Sequence, residues 1–338
     1  MNFQFDFFVN GDDGNHERPA KIYKARRMMG DDNYRKLFRF SREGVAYLVG
    51  NFLPPQYETR GGALNNMQKM EAFLRYMSDP GFQNGVGEDI GVSQGTVSYT
   101  VWSVCQSILS KSDQWIHFPE TDEEFERAKW MWRQKFKFPH AIGAVDCTLI
   151  PIKKPHFHGD EFICRKGYAA FNMQATCNAD SMFTSIDCSW AGSVHDARIW
   201  RTSQVREKLI ANTSGALLIG DEGYPLTPYL MTVYRNPVTA AQKAFNKLHI
   251  IERSLIERMF GQLKNRFPFL LNKIKTATER VPDLVAACCV LHNVATYLKE
   301  EQFEGDVDEE PEEFAGTALV DGDRGAFRRE AIANSILQ

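Results

Sequence analysis

The segment Ala216–Asp221, with the sequence ALLIGD, constrains the fold more than any other stretch of this 338-residue chain. Four apolar residues and a glycine lead directly into Asp221 and Glu222. A short and continuously apolar run is typical of a strand that is buried on both faces. Asp221 is therefore either a turn or cap residue, or a ligand held at the rigid end of a strand.

The segments around ALLIGD predict an α/β fold with a mixed sheet. Three other runs have strand character, namely HAIGAVDCTLIPIKKP, AFNMQATCNAD and FTSIDCSWAG, and the letters ADSM predict a hairpin turn between the last two. Helical patterns occur in DARIWRTSQVREKLIAN, FNKLHIIERSLIERMFGQLKNRF and VPDLVAACCVLHNVATYLKEE. Because strands and helices do not alternate regularly, we expect a mixed sheet with helices on its flanks.

The chain before residue 121 is predicted to be helical. Residues 1–60 contain one short amphipathic helix, whose apolar residues are Phe38, Phe40, Val45, Leu48 and Phe52. Residues 61–120 predict a helix-turn-helix-like domain, in which Gly91 makes the turn and Ser93 caps the second helix. That helix would bury Val97, Val101, Val104 and Ile108, and would present to a DNA groove Gln94, Thr96, Ser98 and Tyr99. A helical bundle that only packs against its neighbours is the alternative.

Charge is distributed unevenly along the chain. The net charge is −3, but Glu300–Asp323 holds eleven acids and no Lys or Arg, so the remainder carries +8. Residues 241–280 alone hold nine Lys or Arg and three Glu. This basic body fits a polyanion partner and, equally, a solvated helix face. The acidic segment predicts a largely disordered tail over residues 299–338, with a short terminal helix at RGAFRREAIANSIL.

The cysteines and the hydropathy pattern bear on the compartment. The seven cysteines show no C-x-x-C spacing, and their odd number favours free thiols in a reducing compartment. No apolar run reaches about 18 residues, so we expect no membrane-spanning helix. The segment MNFQFDFFVNGDDGNHERPA lacks the basic and apolar regions of a signal peptide. We expect a nuclear and cytoplasmic protein, for which KIYKARR at Lys21–Arg27 is a weak nuclear signal.

Two further acids stand out by their positions. Asp146 lies within the apolar run IGAVDCTLI, where a lone Asp is usually held by structural hydrogen bonds. Glu257 lies on a polar stripe of the longest helical pattern, together with Asn246, His249, Arg253 and Lys264. This stripe runs beside an apolar one made of Ile251, Leu255, Met259 and Leu263. An Arg253–Glu257 ion pair on a solvated face is the alternative, and such a pair contributes about 0.3–0.5 kcal/mol.

Asp146, Asp221 and Glu257 can meet at one point if two of them end strands and the third lies on a packing helix. Buried carboxylates repel one another and cannot all ionise at low cost. Divalent cations resolve this conflict, and ligation by oxygen atoms alone suits Mg²⁺ or Mn²⁺ rather than zinc. Two such ions about 3.5–4 Å apart can promote hydrolysis of a phosphodiester.

The sequence resembles the PIF/Harbinger family of DDE transposases and its host-domesticated descendants, the Harbinger transposase-derived nucleases. The motifs that carry the resemblance are GAVDCTLIPIKKP, RKGYAAFNMQATC, WAGSVHDARIW, GDEGYPLTPYLMTVY, FNKLHIIERSLIERMFGQLKNRFPFL and AACCVLHN. With the helix-turn-helix segment they cover about residues 35–296. Thirty-five residues separate Asp221 from Glu257, which is the spacing of this family.

The resemblance implies an RNase H-like DDE nuclease domain over residues 121–298. It identifies Asp146, Asp221 and Glu257 as the metal-binding and catalytic triad, with two Mg²⁺ or Mn²⁺ ions as cofactors. It also implies DNA as the substrate and a separate Myb-like DNA-binding protein as a partner. Strand transfer by a transposase would require at least a homodimer.

Several neighbours of the triad receive expected roles. Basic side chains expected to contact DNA phosphates are Lys153, Lys154, Arg165, Lys166 and Arg253. His249 and Asn246 are expected directly behind the triad, where Arg253 can also orient the acids.

Three other positions near these motifs have expected structural roles. We expect His195-Asp196 to form a strand-to-helix cap and His292 to be a core histidine. Glu222 is expected to be exposed or adjacent to the triad.

Three functions remain open from the sequence. The first is a divalent-metal-dependent DNA endonuclease, in which a transposase and a domesticated nuclease share one chemistry. The second is a catalytically silent DNA-binding or scaffold protein that works with a Myb-like partner. The third and weakest is a different phosphoryl-transfer enzyme on the same fold, such as an RNase.

Overall fold

The computed structural model describes residues 29–56, 64–79, 83–304 and 323–337. The predictions for Lys21–Arg27 and for the acidic segment from residue 305 to residue 322 lie outside these residues. In the part of the chain that is described, none of the helices combines the length and apolarity needed to cross a bilayer.

The N-terminal region begins with two helices, α1 (Asp31–Phe38) and α2 (Arg42–Phe52). The prediction of one helix here is wrong. Arg39 ends α1 in the left-handed backbone region, with a φ of 64°. Ser41 then starts α2, because its Oγ accepts a hydrogen bond from the Gly44 amide at 2.9 Å.

Three further helices follow, α3 (Asn66–Ser78), α4 (Gln83–Ile90) and α5 (Gln94–Leu109). The predicted turn between α4 and α5 is confirmed, because Gly91 has a φ of 73° and the Ser93 Oγ accepts from the Thr96 amide at 3.2 Å. The residues predicted to line the inner face of α5 are all buried, namely Val97, Val101, Val104 and Ile108. These helices share one continuous hydrophobic core with the helices that follow the sheet.

A mixed sheet forms the centre of the molecule, as predicted, but it has five strands where the sequence predicted four. Its strands are β1 (Ala141–Pro151), β2 (Ala170–Cys177), β3 (Phe183–Ala191), β4 (Leu217–Ile219) and β5 (Leu230–Met231). Their order across the sheet is β3-β2-β1-β4-β5. The strands β1, β2 and β3 pair antiparallel, whereas β4 pairs parallel to both β1 and β5.

The helical segment between β3 and β4 forms two helices, α7 (Asp196–Arg201) and α8 (Gln204–Ala211). The prediction of one continuous helix is therefore wrong. Ser203 interrupts the segment, because it has extended backbone and its Oγ caps α8 by accepting from the Arg206 amide at 3.2 Å.

The remaining helices are α6 (Asp122–Lys135), α9 (Ala240–Arg266), α10 (Val281–Tyr297) and α11 (Asp323–Ile336). The long helix α9 begins where the Thr239 Oγ accepts from the Gln242 amide. Leu255, Met259 and Leu263 are buried in the core, as predicted. Ile251 is 56% exposed, so its place on the apolar stripe was predicted wrongly. Predictions of α10 and of the terminal helix α11 are confirmed.

Alternate residues of the sheet face two different cores. On one face, Leu217, Ile219 and Met231 belong to the large core that includes α9 and α10. On the other face, Leu218 and Leu230 belong to a smaller core that includes α7 and α8. Helices therefore cover both faces, and α9 lies on the side opposite to α8.

The chain near residue 300 returns to the N-terminal helices. Three guanidinium groups gather there, and we call Arg35, Arg39 and Arg266 the arginine cluster. Arg266 donates to the Arg39 carbonyl at 2.6 Å and to the Glu301 carbonyl at 2.9 Å. The Phe303 ring lies 4.7–5.3 Å from all three guanidinium carbons.

Candidate active site

The register of the sheet places Asp146 beside Asp221. Ala144 of β1 is paired with Ile219 of β4 in the parallel ladder. Asp146 lies two residues beyond Ala144, and Asp221 lies two residues beyond Ile219. The two carboxylates therefore continue the register of this pair. Both belong to the face of Ala144 and Ile219, which is the face covered by α9.

Asp221 lies directly after β4, and the following turn holds its carboxylate. The Gly223 amide donates to Asp221 Oδ1 at 2.6 Å. Gly220 is required for space rather than for an unusual backbone angle, since a Cβ there would lie 3.0 Å from a methyl group of Leu230. Burial raises the pKa of Asp221, and the Asp196 and Glu222 carboxylates raise it further.

Asp146 lies in the middle of β1 with only 14% of its side chain exposed. Its Oδ1 accepts a hydrogen bond from the Cys147 amide at 2.8 Å. Burial raises the pKa of Asp146 well above its ordinary value, and the carboxylates of Asp221 and Asp196 add to the rise. The structure therefore concentrates more negative charge here than its surroundings stabilise.

Arg253 connects the strand to Glu257. Its Nη1 lies 3.2 Å from Asp146 Oδ2, and its Nη2 lies 2.9 Å from Glu257 Oε1. The ion pair expected on a solvated face thus exists, but Arg253 is only 19% exposed and also binds a residue of the sheet. One guanidinium bridges two of the three acids in the triad.

The helix that carries Glu257 is fixed by a neighbouring buried glutamate. Glu252 accepts hydrogen bonds from Trp132 Nε1 at 2.8 Å and from the Lys137 and Phe138 amides at 2.6 and 2.9 Å. These groups precede β1, so α9 is held directly against the start of the strand that carries Asp146. Charge-assisted hydrogen bonds of this kind contribute about 1.5–3 kcal/mol each.

Asp196 is a fourth carboxylate of the site, and the sequence reasoning missed it. As the first residue of α7 it accepts from Asn172 Nδ2 at 2.9 Å. Its charge raises the pKa values of Asp146 and Asp221. The expected cap does not form through His195, whose side chain makes no capping bond. The missed signal was an Asn on a buried strand, because such an amide needs a partner. We call Asp146, Asp196, Asp221 and Glu257 the carboxylate site.

The donor set of the carboxylate site fits a hard divalent cation. All four side chains offer oxygen atoms. Burial raises the pKa of Asp146 and Asp221, and neighbouring carboxylates raise it further, which is the imbalance that a cation corrects. In the described residues, no three acidic, histidine or cysteine side chains are already gathered closely enough to hold a metal ion. Arg253 lies between Asp146 and Glu257.

The two residues predicted behind the triad serve the packing of α9. Asn246 bonds the Tyr234 backbone at both ends of its amide, at 2.7 and 2.8 Å. His249 is fully buried, stacks on Phe245 and donates from Nε2 to the Met231 carbonyl at 2.9 Å. Burial lowers the pKa of His249 to about 4, so the imidazole is neutral at pH 7.

The basic residues predicted after β1 lie away from the carboxylate site. Lys153 follows the end of β1, and Lys154 pairs with Asp160 at 2.6 Å. Arg165 and Lys166 are exposed in the turn before β2. Pro151 at the end of β1 is five residues beyond Asp146, or about 17 Å along the strand. The structure does not bring these four residues to the triad.

The residues predicted to face DNA on α5 lie at the surface. Gln94 and Thr96 are exposed, Ser98 is half-buried and Tyr99 is 76% exposed. No Lys or Arg occurs between Arg75 and Lys111. The two helices α4 and α5 therefore carry none of the cations that usually supply non-specific affinity for DNA.

Two remaining predictions agree with the structure. His292 is buried in the core, with 3% of its surface exposed, and its ring contacts Phe183. Glu222 is half-buried at the rim of the site, where it pairs with Arg235. It does not take part in the bridge formed by Arg253.

Comparison with known families finds one that resembles the stretch carrying the carboxylate site. Residues 145–293, which include all four acids, match the family described as DDE superfamily endonuclease. This stretch is therefore similar to DDE superfamily endonuclease domains, and its mixed sheet with flanking helices is consistent with that fold.

Curated relatives extend the similarity beyond this domain. The chain is 28% identical over 273 residues to the bovine "Putative nuclease HARBI1" and 27% identical to its human counterpart, and each alignment covers 78% of both chains. It is also 24% identical over 294 residues to the Arabidopsis thaliana "Protein ALP1-like", with coverage of 79% and 71%. The resemblance to Harbinger-derived nucleases is thus confirmed. No solved structure shows significant similarity to the chain.

Proposed function

We propose that this protein hydrolyses phosphodiester bonds of DNA in a reaction that depends on a divalent metal. The observation that carries the proposal is the carboxylate site, where Arg253 bridges Asp146 and Glu257 and the charges of Asp196 and Asp221 act on Asp146, in a stretch that matches the DDE superfamily endonuclease family. Carboxylates whose pKa is raised by burial and by like charges cost a fold stability, and such groups are frequent at functional sites.

The residues proposed to hold Mg²⁺ or Mn²⁺ are Asp146, Asp221 and Glu257, with Asp196 as a further oxygen donor. The ions would supply a more acidic water and would neutralise charge on the phosphate. The Gly223 amide orients Asp221, and Asn172 orients Asp196. Arg253 neutralises Asp146 and Glu257 before an ion is bound.

The proposed reaction adds one water across a phosphodiester. The water oxygen forms the new bond to phosphorus while the bond from phosphorus to the 3′ oxygen breaks. One water proton passes to solvent and the leaving oxygen gains one, which gives a 3′-hydroxyl and a 5′-phosphate.

The test is nicking of supercoiled plasmid by the purified full-length protein in Mg²⁺ and in Mn²⁺. Wild type is expected to nick, and Asp221→Asn is expected to lose the activity while its melting temperature is retained. Glu222→Gln is the matched control, because it removes the neighbouring acid that pairs with Arg235. Equal nicking by wild type and Asp221→Asn would contradict the proposal.

A catalytically silent DNA-binding or scaffold protein is the second candidate. The Arg253 bridge favours it, because the chain supplies its own cation to two of the acids. The melting temperature separates the candidates, since an ion bound only by the folded state raises it. A rise in Mn²⁺ that disappears in Asp221→Asn supports the nuclease, whereas no rise supports the scaffold.

Partner and compartment are part of the same proposal. A Myb-like DNA-binding protein would supply the DNA affinity that the helix-turn-helix-like unit lacks. We propose a nuclear and cytoplasmic location and a homodimer for any strand transfer. Adding a Myb-like protein to the plasmid assay tests whether nicking requires it.

A further inference from the structure

One surface of α9 beside the carboxylate site has an unusual composition. Five residues between Lys243 and Arg258 are exposed, and we call them the α9 ridge: Lys243, Lys247, Ile250, Ile251 and Arg258. Their spacing of three, four, seven and eight residues places them along one side of the helix. Three of the five carry positive charge and none is acidic.

The cations of the α9 ridge are available to a partner. Within the described residues, neither Lys243 nor Lys247 has an ion-pair partner. Arg258 contacts only a neutral group in its own helix, as its Nη1 donates to Ser254 Oγ at 2.6 Å. Of the acids on α9, Glu252 and Glu257 face the core and the carboxylate site. Glu330 of α11 lies beside the start of the ridge, where its carboxylate accepts hydrogen bonds from Tyr234 and Gln242. The ridge is therefore a positive surface.

Two adjacent isoleucines interrupt this positive surface. Ile250 and Ile251 are 55% and 56% exposed, although each is β-branched and disfavoured by water. A helix face that contacts only water does not require two exposed isoleucines. Isoleucine is among the side chains that proteins use as apolar wedges against DNA base steps.

The ridge is continuous with the carboxylate site. Ile250 precedes Glu257 by seven residues, which is two helical turns, so both lie on neighbouring parts of one side. From Lys243 to Arg258 the helix rises about 22 Å. This length matches about six phosphates of one DNA strand at about 3.4 Å each.

We infer that the α9 ridge binds the DNA backbone and leads one strand into the carboxylate site. This inference rests on the proposed nuclease function and identifies the surface that its substrate occupies. The lysines and Arg258 bind phosphates, and Ile250 and Ile251 contact sugars or bases. Charge complementarity and continuity with the acids favour DNA over a protein partner.

The experiment measures binding without cleavage. Full-length protein carrying Asp221→Asn is titrated into a short fluorescent DNA duplex, and the dissociation constant is followed by anisotropy at several NaCl concentrations. Lys243→Gln/Lys247→Gln is expected to lower the slope of log affinity against log salt by about 2, because each phosphate contact contributes about 0.9. At about 0.1 M NaCl, this corresponds to a loss of about 60-fold in affinity.

The matched control removes two cations from the other side of the sheet. Arg206→Gln/Lys208→Gln changes the net charge equally on α8, which packs on the smaller core. This variant is expected to keep the salt slope of its parent. Ile250→Ser/Ile251→Ser is expected to weaken binding at an unchanged slope, because it removes no charge.

The outcomes separate this inference from the nuclease proposal. Equal salt slopes for the ridge variant and the α8 control overturn the inference, even if wild type cuts plasmid. A slope reduced only in the ridge variant supports it, even if wild type proves unable to cut. Melting temperatures of all variants show whether a loss of binding reflects a loss of folding.

Discussion

The carboxylate site and the arginine cluster are two groups of like charges that the fold handles in opposite ways. In the arginine cluster, carbonyl oxygens, the Phe303 ring and the acids at residues 300–301 surround the guanidinium groups. In the carboxylate site, four acids have one arginine among them. The difference shows where the chain completes its own interactions and where it leaves them to a ligand.

The two groups also differ in how burial acts on them. Burial lowers the pKa of Arg266 only to about 10, so the guanidinium remains charged at pH 7 and its partners are needed. Burial raises the pKa of Asp146 and Asp221, which favours the protonated and uncharged form of both side chains. Both shifts show that burial disfavours the charged form, but the arginine cluster already has carbonyl and carboxylate partners, whereas the carboxylate site has one arginine and would gain a partner when a cation binds.

The largest effect is expected from breaking the arginine cluster. Arg266→Met keeps the aliphatic part of the side chain but leaves the Arg39 and Glu301 carbonyls without their donor. We expect the free energy of unfolding to fall by about 3–5 kcal/mol. Urea denaturation checks this value, with Lys208→Met, which breaks the surface ion pair between Lys208 and Glu120, as the control. A loss below about 1 kcal/mol would mean that the cluster is no more than a surface ion pair.

A change of pH is expected to have an intermediate effect on the free energy of unfolding, because one buried, neutral histidine lies near the carboxylate site and another lies near the arginine cluster. Burial lowers the pKa of both His249 and His292 to about 4. The unfolded chain protonates these histidines below about pH 6.5. Their contribution to the free energy of unfolding is therefore fully present above that pH and is lost as the pH falls toward 4. Each histidine contributes a slope of about 1.4 kcal/mol per pH unit.

The measurement is the free energy of unfolding in urea between pH 4.5 and pH 7. His249→Gln and His292→Gln should each remove about half of this part of the slope, since burial is the main cause in both. If one variant alone accounts for the whole effect, the two surroundings are not equivalent.

The smallest effect is expected from removing one negative charge from the carboxylate site. Asp146→Asn mimics the protonated acid, so it should stabilise the metal-free protein by about 0.5–2 kcal/mol. Because the native pKa of Asp146 is raised, the gain should be present at pH 8 and should vanish near pH 4. Chemical denaturation in EDTA at both pH values measures it. A loss of stability at pH 8 would show that the site is structurally complete without a ligand.

The sequence predicted those parts of the site that local patterns encode. Asp146 and Asp221 stand out because apolar strands surround or precede them, and the Arg253–Glu257 pair follows from helical spacing. The second contact of Arg253, to Asp146, joins residues 107 positions apart and leaves no local pattern. Asp196 was missed for a related reason, because Asn172 on another strand determines its role.

The fold shows the same limit. Elements with clear patterns were predicted, including four of the five strands and the helices α5, α10 and α11, whereas the two-residue strand β5 was too short to leave a pattern. The breaks at Arg39 and Ser203 were missed, because each depends on one backbone angle or one capping hydroxyl. Loss of Ile251 from the core was missed because helical spacing defines a stripe but not its edge.

The contact between Arg39 and Arg266 also has a consequence for biosynthesis. The two residues are 227 positions apart, so at about 5–20 residues per second the ribosome adds the second about 10–45 seconds after the first. During that interval the N-terminal helices lack the groups that complete their packing. Glu257 is synthesised near the end of this interval, so a nascent chain carries no complete set of site acids until most of the protein has been made.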